Sequence, residues 1–254
     1  MELTFLGTGA ADILAAVLED NAYGRGDKNV RRYSSTLLDG EILFDCSVFT
    51  LEGLIANGFD YSDVKSLFIT HFHGDHCNFA CIQDLALLAD RKLDIYYSEE
   101  IDFPYIDNAE LHPLKVNETV LVNGYSVTAL KANHSSHPLH YSIEKDGKKL
   151  FYGLDGAWLL HDTYYAMKDM NYDAMVLDAT VGDYDGDYRM AEHNSIPRIR
   201  MMVKSFKTFG ITNENTKIIL SHLARTLHVT HLETEEKVKD DGFIVAFDGM
   251  KFSF

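Results

Sequence analysis

The chain has 254 residues, 46% hydrophobic and 24% charged, enough to bury a core without disulfide staples. Its formal net charge of −16 opposes long-range attraction of a polyanion such as tRNA or DNA. No apolar run approaches the roughly 20 residues of a membrane span, and the opening MELTFLGTGA lacks the basic start and longer apolar core of a secretory signal, so a cytoplasmic protein is expected.

In chain order, LTFLG (3–7) has strand length and ends in a glycine turn. STLLDGEILFD (35–45) reads as a hairpin turning at Asp39-Gly40, a pair suited to a type I′ turn. FTLEGLIANG (49–58) has helical periodicity, VKSLFIT (64–70) is a strand, and NFACIQDLALLADRK (78–92) is a helix. LDIYYS (93–98) and YSVTALKA (125–132) are strands, and LHYSIEKDGKKLFYGL (139–154) is a second hairpin, turning at Asp146-Gly147. DTYYAMKDM (162–170) is helical, AMVLDAT (174–180) a strand, and IPRIRMMVKSFKTFG (196–210) a helix stopped by Gly210. TKIILS (216–221) and FIVAFDGM (243–250) complete the strands. Strands and helices interleave throughout, with no linker or repeat, so a single domain over 1–254 is expected, of α/β class with mixed sheets and helices outside. Cys46, Cys77 and Cys81 read as reduced thiols filling a core.

One short run concentrates ligand chemistry. THFHGDH (70–76) places His71, His73, Asp75 and His76 directly after an apolar strand. His71 and His73, separated by one residue, point the same way in an extended segment, and Gly74 lets the chain turn before Asp75. Further candidates recur at the ends of later strands: His134, Asp155 and His222. Seven such groups exceed the three protein ligands of one tetrahedral catalytic site and suit two metals with a carboxylate bridging them. Mixed nitrogen and oxygen donors fit zinc, manganese or iron. Asp45 and Asp178 also end apolar runs and suit the role of orienting metal-bound histidines. Arg25, Lys28, Arg31 and Arg32 form the densest basic cluster; they read as a solvated loop, with contact to a substrate phosphate the alternative. Arg225 stands on similar terms, while His228 and His231 are left outside the metal set.

THFHGDH resembles the HxHxDH motif of the metallo-β-lactamase fold superfamily, and His134, Asp155 and His222 fall in the order of its remaining ligands. The opening LTFLGTGAA is similar to the first strand and turn of its phosphodiesterase branch. NHSSHPLHYSIE (133–144), EHNSI (192–196) and DGFIVAFDGM (241–250) most resemble the phosphoribosyl 1,2-cyclic phosphate phosphodiesterases of the carbon–phosphorus lyase pathway. The resemblance implies an αββα sandwich of two mixed sheets with metals at one edge. It implies that His71, His73, His134 and Asp155 hold one ion, and Asp75, His76, His222 and the same Asp155 the other. It further implies manganese, with zinc or iron as alternatives, and hydrolysis of a small cyclic phosphodiester by a hydroxide shared between the ions. His193 is then the general acid, and Asp75 contributes to catalysis through its ion. That family's cysteine-rich structural zinc segment has no counterpart here, since residues 11–35 contain no cysteine. A tRNA 3′-processing endonuclease shares the ligand set and is the main rival, disfavoured by charge. A β-lactam hydrolase, a protein related to pyrroloquinoline quinone assembly and a non-catalytic binding domain are further rivals. A small phosphodiester is the expected partner, nucleic acid and membrane are not expected, and a homodimer is the base-rate expectation.

Overall fold

Two runs of strands punctuated by helices account for the chain's apolar segments. The computed structural model describes residues 1–12 and 27–254. The first run comprises β1 (Glu2–Gly7), β2 (Ser35–Leu38), β3 (Ile42–Phe44), β4 (Ser66–Phe68), β5 (Leu93–Ser98) and β6 (Ala109–Leu114), with α1 (Thr50–Ala56) and α2 (Phe79–Leu88) between them. The second comprises β7 (Thr119–Val122), β8 (Tyr125–Lys131), β9 (Leu139–Lys145), β10 (Lys148–Gly153), β11 (Tyr172–Asp178), β12 (Thr212–Ser221), β13 (Ile244–Val245) and β14 (Lys251–Ser253). Helices α3 (His161–Ala166), α4 (Ile196–Thr208) and α5 (His231–Val238) lie within it. One sheet has the order β14-β1-β2-β3-β4-β5-β6, the other β13-β12-β11-β10-β9-β8-β7. Both are mixed: β3 to β6 and β10 to β13 pair in parallel, the remaining neighbours antiparallel.

Strand alternation separates three apolar layers. On β10 and β11, Tyr152 and Val176 face the other sheet, in one core with Phe44 and Phe68 of that sheet and Tyr141 of their own. Their neighbours Phe151, Met175 and Leu177 face outward onto Ile199, Met202 and Phe206 of α4. On the far side Leu43, Leu67 and Ile95 pack under Leu54 of α1 and Ile82 and Leu85 of α2. The result is the expected helix–sheet–sheet–helix sandwich.

Both expected hairpins form, with left-handed φ at Asp39 and Gly40 (48° and 75°) and at Asp146 and Gly147 (50° and 76°). A third, at Asn123-Gly124 (51° and 84°), joins β7 to β8 by the same turn chemistry. Several boundaries differ from the sequence reading. The run 243–250 pairs only over Ile244–Val245, because Asp248-Gly249 turns the chain back towards β1, where Gly249 N donates to Phe5 O. The helix read over 162–170 ends at Ala166, and α5 was not anticipated. Among the described residues, no helix is long and apolar enough to cross a membrane.

Candidate metal centre

Five strands deliver polar residues to one rim between the sheets. His71 follows β4, His134 follows β8, Asp155 follows β10, Asp178 ends β11 and His222 follows β12. The two sheets are tied together there: Leu139 N donates to Thr70 O (2.7 Å) and the Tyr141 hydroxyl to Ile69 O (2.6 Å). Within the motif, His76 N and Cys77 N both donate to His73 O, closing the turn around Gly74. Asp45 and His222 adopt left-handed φ of 61° and 57°, a conformation costing about 1–2 kcal/mol for a non-glycine residue. Backbone hydrogen bonds hold both places, from Asp45 N to Phe68 O and from Leu223 N to Thr8 O.

Two groups of donors converge and share Asp155, and a third, Asp155, Asp178, His193 and His222, overlaps them. In the first, His71 Nε2 and His73 Nδ1 are 3.0 Å apart, and His73 Nδ1 and His134 Nε2 are 3.2 Å apart. Asp155 Oδ2 lies 3.2 Å from His71 Nε2 and 3.6 Å from His134 Nε2. In the second, His76 Nε2 and His222 Nε2 are 3.1 Å apart, each 3.6 Å from Asp75 Oδ2, and Asp155 Oδ2 lies 3.3 Å from His76 Nε2. Ligands about 2.0–2.1 Å from one tetrahedral ion lie roughly 3.3 Å apart along each edge. The donor spacing therefore fits a metal ion in each of these two groups.

The far side of each ring is also committed. His76 Nδ1 lies 2.6 Å from Asp45 Oδ2, and His134 Nδ1 lies 3.0 Å from the Glu192 carbonyl. His71 Nδ1 lies 3.0 Å from Thr70 Oγ1, whose own proton goes to Asp45. His222 Nδ1 lies 2.7 Å from Thr180 Oγ1, whose proton goes to the His222 carbonyl. With Nδ1 donating outward, Nε2 presents a lone pair inward on all four. His73 is reversed: Nδ1 faces the cluster and Nε2 faces Ser135 Oγ at 3.4 Å. Five lone pairs aimed at two points suit cations.

Electrostatics agree. Asp45, Asp75, Asp155 and Asp178 are all buried here. Their four negative charges are what two divalent ions would cancel. Burial and the neighbouring His76 push His71 down to about 3, while His222, despite its burial, is pushed up to about 10 by Asp155. His76, whose ring centre is 4.4 Å from that of His71, is likewise pushed up, despite its burial, by Asp155, Asp45 and Asp75, so neighbouring imidazoles of the bare cluster are shifted in opposite directions. Metal binding would replace the protons and relieve that conflict.

All seven residues singled out from sequence meet at this rim, with His193 beside them. His193 Nδ1 is 2.8 Å from Asp178 Oδ2 and 3.2 Å from Thr180 Oγ1. Asp45 therefore orients a histidine of the cluster as expected, whereas Asp178 contacts His193. A cavity of about 380 Å³ opens over Asp75, Asp155, His73, His193 and His222, with Ala10, Ala11, Asp12 and Arg189 on its walls. The basic cluster lies elsewhere. Arg31 is buried, donating to Thr8 Oγ1 and Ala246 O, neither solvated nor in this cavity. Lys28 pairs with Glu235 and Arg32 with Glu52 and Asp248. Arg25 lies outside the described residues, and Arg225 lines a neighbouring cavity with Arg31, His228 and His231. His228 donates to Ala179 O, away from the cluster.

Thr70, Thr180 and the Glu192 carbonyl were not found from sequence, since hydroxyls and carbonyls carry no distinguishing pattern. Thr180→Val keeps the shape but removes the hydroxyl at 2.7 Å from His222 Nδ1, leaving Asp155 Oδ1 at 2.9 Å. Its expected effect is a roughly 10–100-fold weaker affinity for an ion held through His222, measured by competition with a chromogenic chelator; unchanged affinity would show that Thr180 does not fix that ring.

The two face-to-face mixed sheets with a histidine–aspartate rim define the metallo-β-lactamase fold class. The model of the Beta-lactamase superfamily domain matches residues 41–235, and the chain belongs to that superfamily. Ribonuclease Z of Methanothermobacter thermautotrophicus is 30% identical over 167 residues, 59% of this chain and 50% of that protein. The chain thus spans about half the length of the curated relatives it matches. Zn²⁺-bound PqqB from Methylobacterium extorquens superposes with a TM-score of 0.77 at 18% identity, covering 100% of both chains. Human tRNase Z, short form, gives 0.66 at 21% identity, covering 100% of this chain and 99% of the other. At these identities the structural likeness speaks to the fold.

Proposed function

We propose that the protein is a two-metal phosphodiesterase acting on a small cyclic phosphodiester such as phosphoribosyl 1,2-cyclic phosphate. The observation that carries this reading is the sharing of Asp155 between two full ligand sets, beside His193, whose Nδ1 is held by Asp178. His71, His73, His134 and Asp155 would hold one ion, and Asp75, His76, His222 and Asp155 the other. Manganese, zinc and iron all suit these donors. Two such ions, when bound, supply an activated water and neutralise the non-bridging phosphate oxygens.

The chain's own contribution to the leaving group is His193. With Nδ1 donating to Asp178, Nε2 is the nitrogen left to carry a proton. Burial alone would lower the His193 pKa, but the Asp178 carboxylate and its hydrogen bond outweigh burial, with Asp155 adding to them, so the net direction is up. An imidazolium on the cavity wall can protonate the departing alkoxide. The cavity of about 380 Å³ is of the size that encloses a small ligand.

A second reading, a ribonuclease Z-like endonuclease, is favoured by the curated relatives. The net charge of −16 weighs against it. The two are separated by assaying metal-loaded protein on ribose 1,2-cyclic phosphate 5-phosphate and on a tRNA carrying a 3′ trailer. The expected kcat/KM favours the cyclic phosphate by at least about 100-fold, a margin of roughly 2.7 kcal/mol. A preference for the tRNA would establish the second reading, and turnover of neither would overturn both.

A further inference from the structure

One charged side chain in the cavity has no part in the chemistry above. Arg189 is the single Arg or Lys among the described residues lining the cavity that holds His73, Asp75, Asp155, His193 and His222. It lies in the short 3-10 turn Tyr188–Ala191, with Asp187 as its N-cap. Its guanidinium is held in place: Nε and Nη2 donate to the two oxygens of Asp187, each at 2.9 Å, and Cζ lies 5.3 Å from the centre of the Tyr188 ring. That fork occupies one edge of a planar group with five donors. Among the described residues, Nη1 has no hydrogen-bond partner. A half-buried surface pair such as Arg189–Asp187 adds little stability, but it fixes the plane, so little orientational freedom remains to be lost when a second anion binds.

The position relative to His193 is also fixed. His193 N donates to Arg189 O at 2.9 Å, and Glu192 N to the same oxygen at 3.0 Å. Arg189 and His193 therefore sit on one turn, and both line the cavity.

Resting on the phosphodiesterase reading, we propose that Arg189 binds a second anionic group of the substrate in this cavity and so selects small diesters that carry a remote phosphate. In a ribose 1,2-cyclic phosphate the leaving oxygen stays on the sugar. A phosphate elsewhere on that sugar is a second anion that enters the same cavity with the diester.

The test compares ribose 1,2-cyclic phosphate with and without a 5-phosphate, on metal-loaded wild type, Arg189→Ala and Arg189→Lys. Wild type should show a KM about 10–100-fold lower for the 5-phosphorylated substrate, the size expected for a charge-assisted hydrogen bond. In Arg189→Ala that ratio should collapse towards one, and Arg189→Lys, a cation without the fork, should fall between. A ratio equal in wild type and Arg189→Ala overturns the assignment. Calorimetric binding of ribose 5-phosphate supplies a readout that needs no turnover. Arg189→Ala should weaken it by the same factor, and unchanged binding overturns the assignment. Absence of diester turnover in wild type counts against the phosphodiesterase reading alone.

Discussion

Asp155→Ala should lose at least one of two bound metal equivalents and at least about 10³-fold in phosphodiester turnover, since the ions are worth several kcal/mol of transition-state charge stabilisation. The reason is geometric. Asp155 Oδ2 stands 3.2–3.6 Å from the Nε2 atoms of His71, His76 and His134, so its removal touches both donor groups at once. His73→Ala, by contrast, removes a donor from one group only. Stability carries the same signal. A ligand at about 1,000 times its Kd stabilises the folded state by roughly 4 kcal/mol, or about 8–16 °C in Tm for a chain near this size. Wild type should show a metal-dependent rise of that order in a thermal melt, and Asp155→Ala should show much less. A variant that binds two equivalents and melts like wild type would rule out a shared carboxylate.

His193→Ala should separate substrates by leaving group. With a poor leaving group such as a sugar alkoxide, kcat should fall about 10²–10⁴-fold, the usual contribution of a general acid. With p-nitrophenolate, which departs without a proton, the loss should be within about tenfold, because little proton transfer remains to be lost. Asp178→Asn should reproduce part of the effect, since it weakens the partner that holds His193 Nδ1. Equal losses for both leaving groups would remove His193 from the role of acid and leave it a role in shaping the pocket.

The residues of the centre were legible in the sequence because metal donors are chemically rare and sit where strands end. THFHGDH, His134, Asp155 and His222 each follow an apolar run, and parallel strands bring their ends to one rim. What oriented them was not legible. Thr180 and Thr70 look like any strand-end threonine, and the Glu192 carbonyl has no side-chain signature. Arg189 lies inside GDYDGDYRM, where three neighbouring aspartates mask a single cation. Arg31 was misread for a related reason: a basic run suggests a solvated face, whereas its guanidinium finds Thr8 Oγ1 and Ala246 O inside the fold. Burial still leaves a mark, pushing the Arg31 pKa down to about 10.

Two fold elements were readable by rules already in use. The α5 helix opens on a capping box in which Thr230 and Glu233 exchange hydrogen bonds, the S/T-x-x-E pattern. The third hairpin carries the Asn-Gly pair at 123–124, between the strand read over 125–132 and the four-residue TVLV, too short to stand out. Strand β6 is less readable because Pro113 interrupts it, a residue tolerated there because β6 is an edge strand.

The most direct test is a titration of metal-stripped protein with Mn²⁺, following hydrolysis of ribose 1,2-cyclic phosphate 5-phosphate at each addition. The account predicts turnover that rises and reaches its plateau at two equivalents per chain. A plateau at one equivalent, or no turnover at any loading, would contradict it.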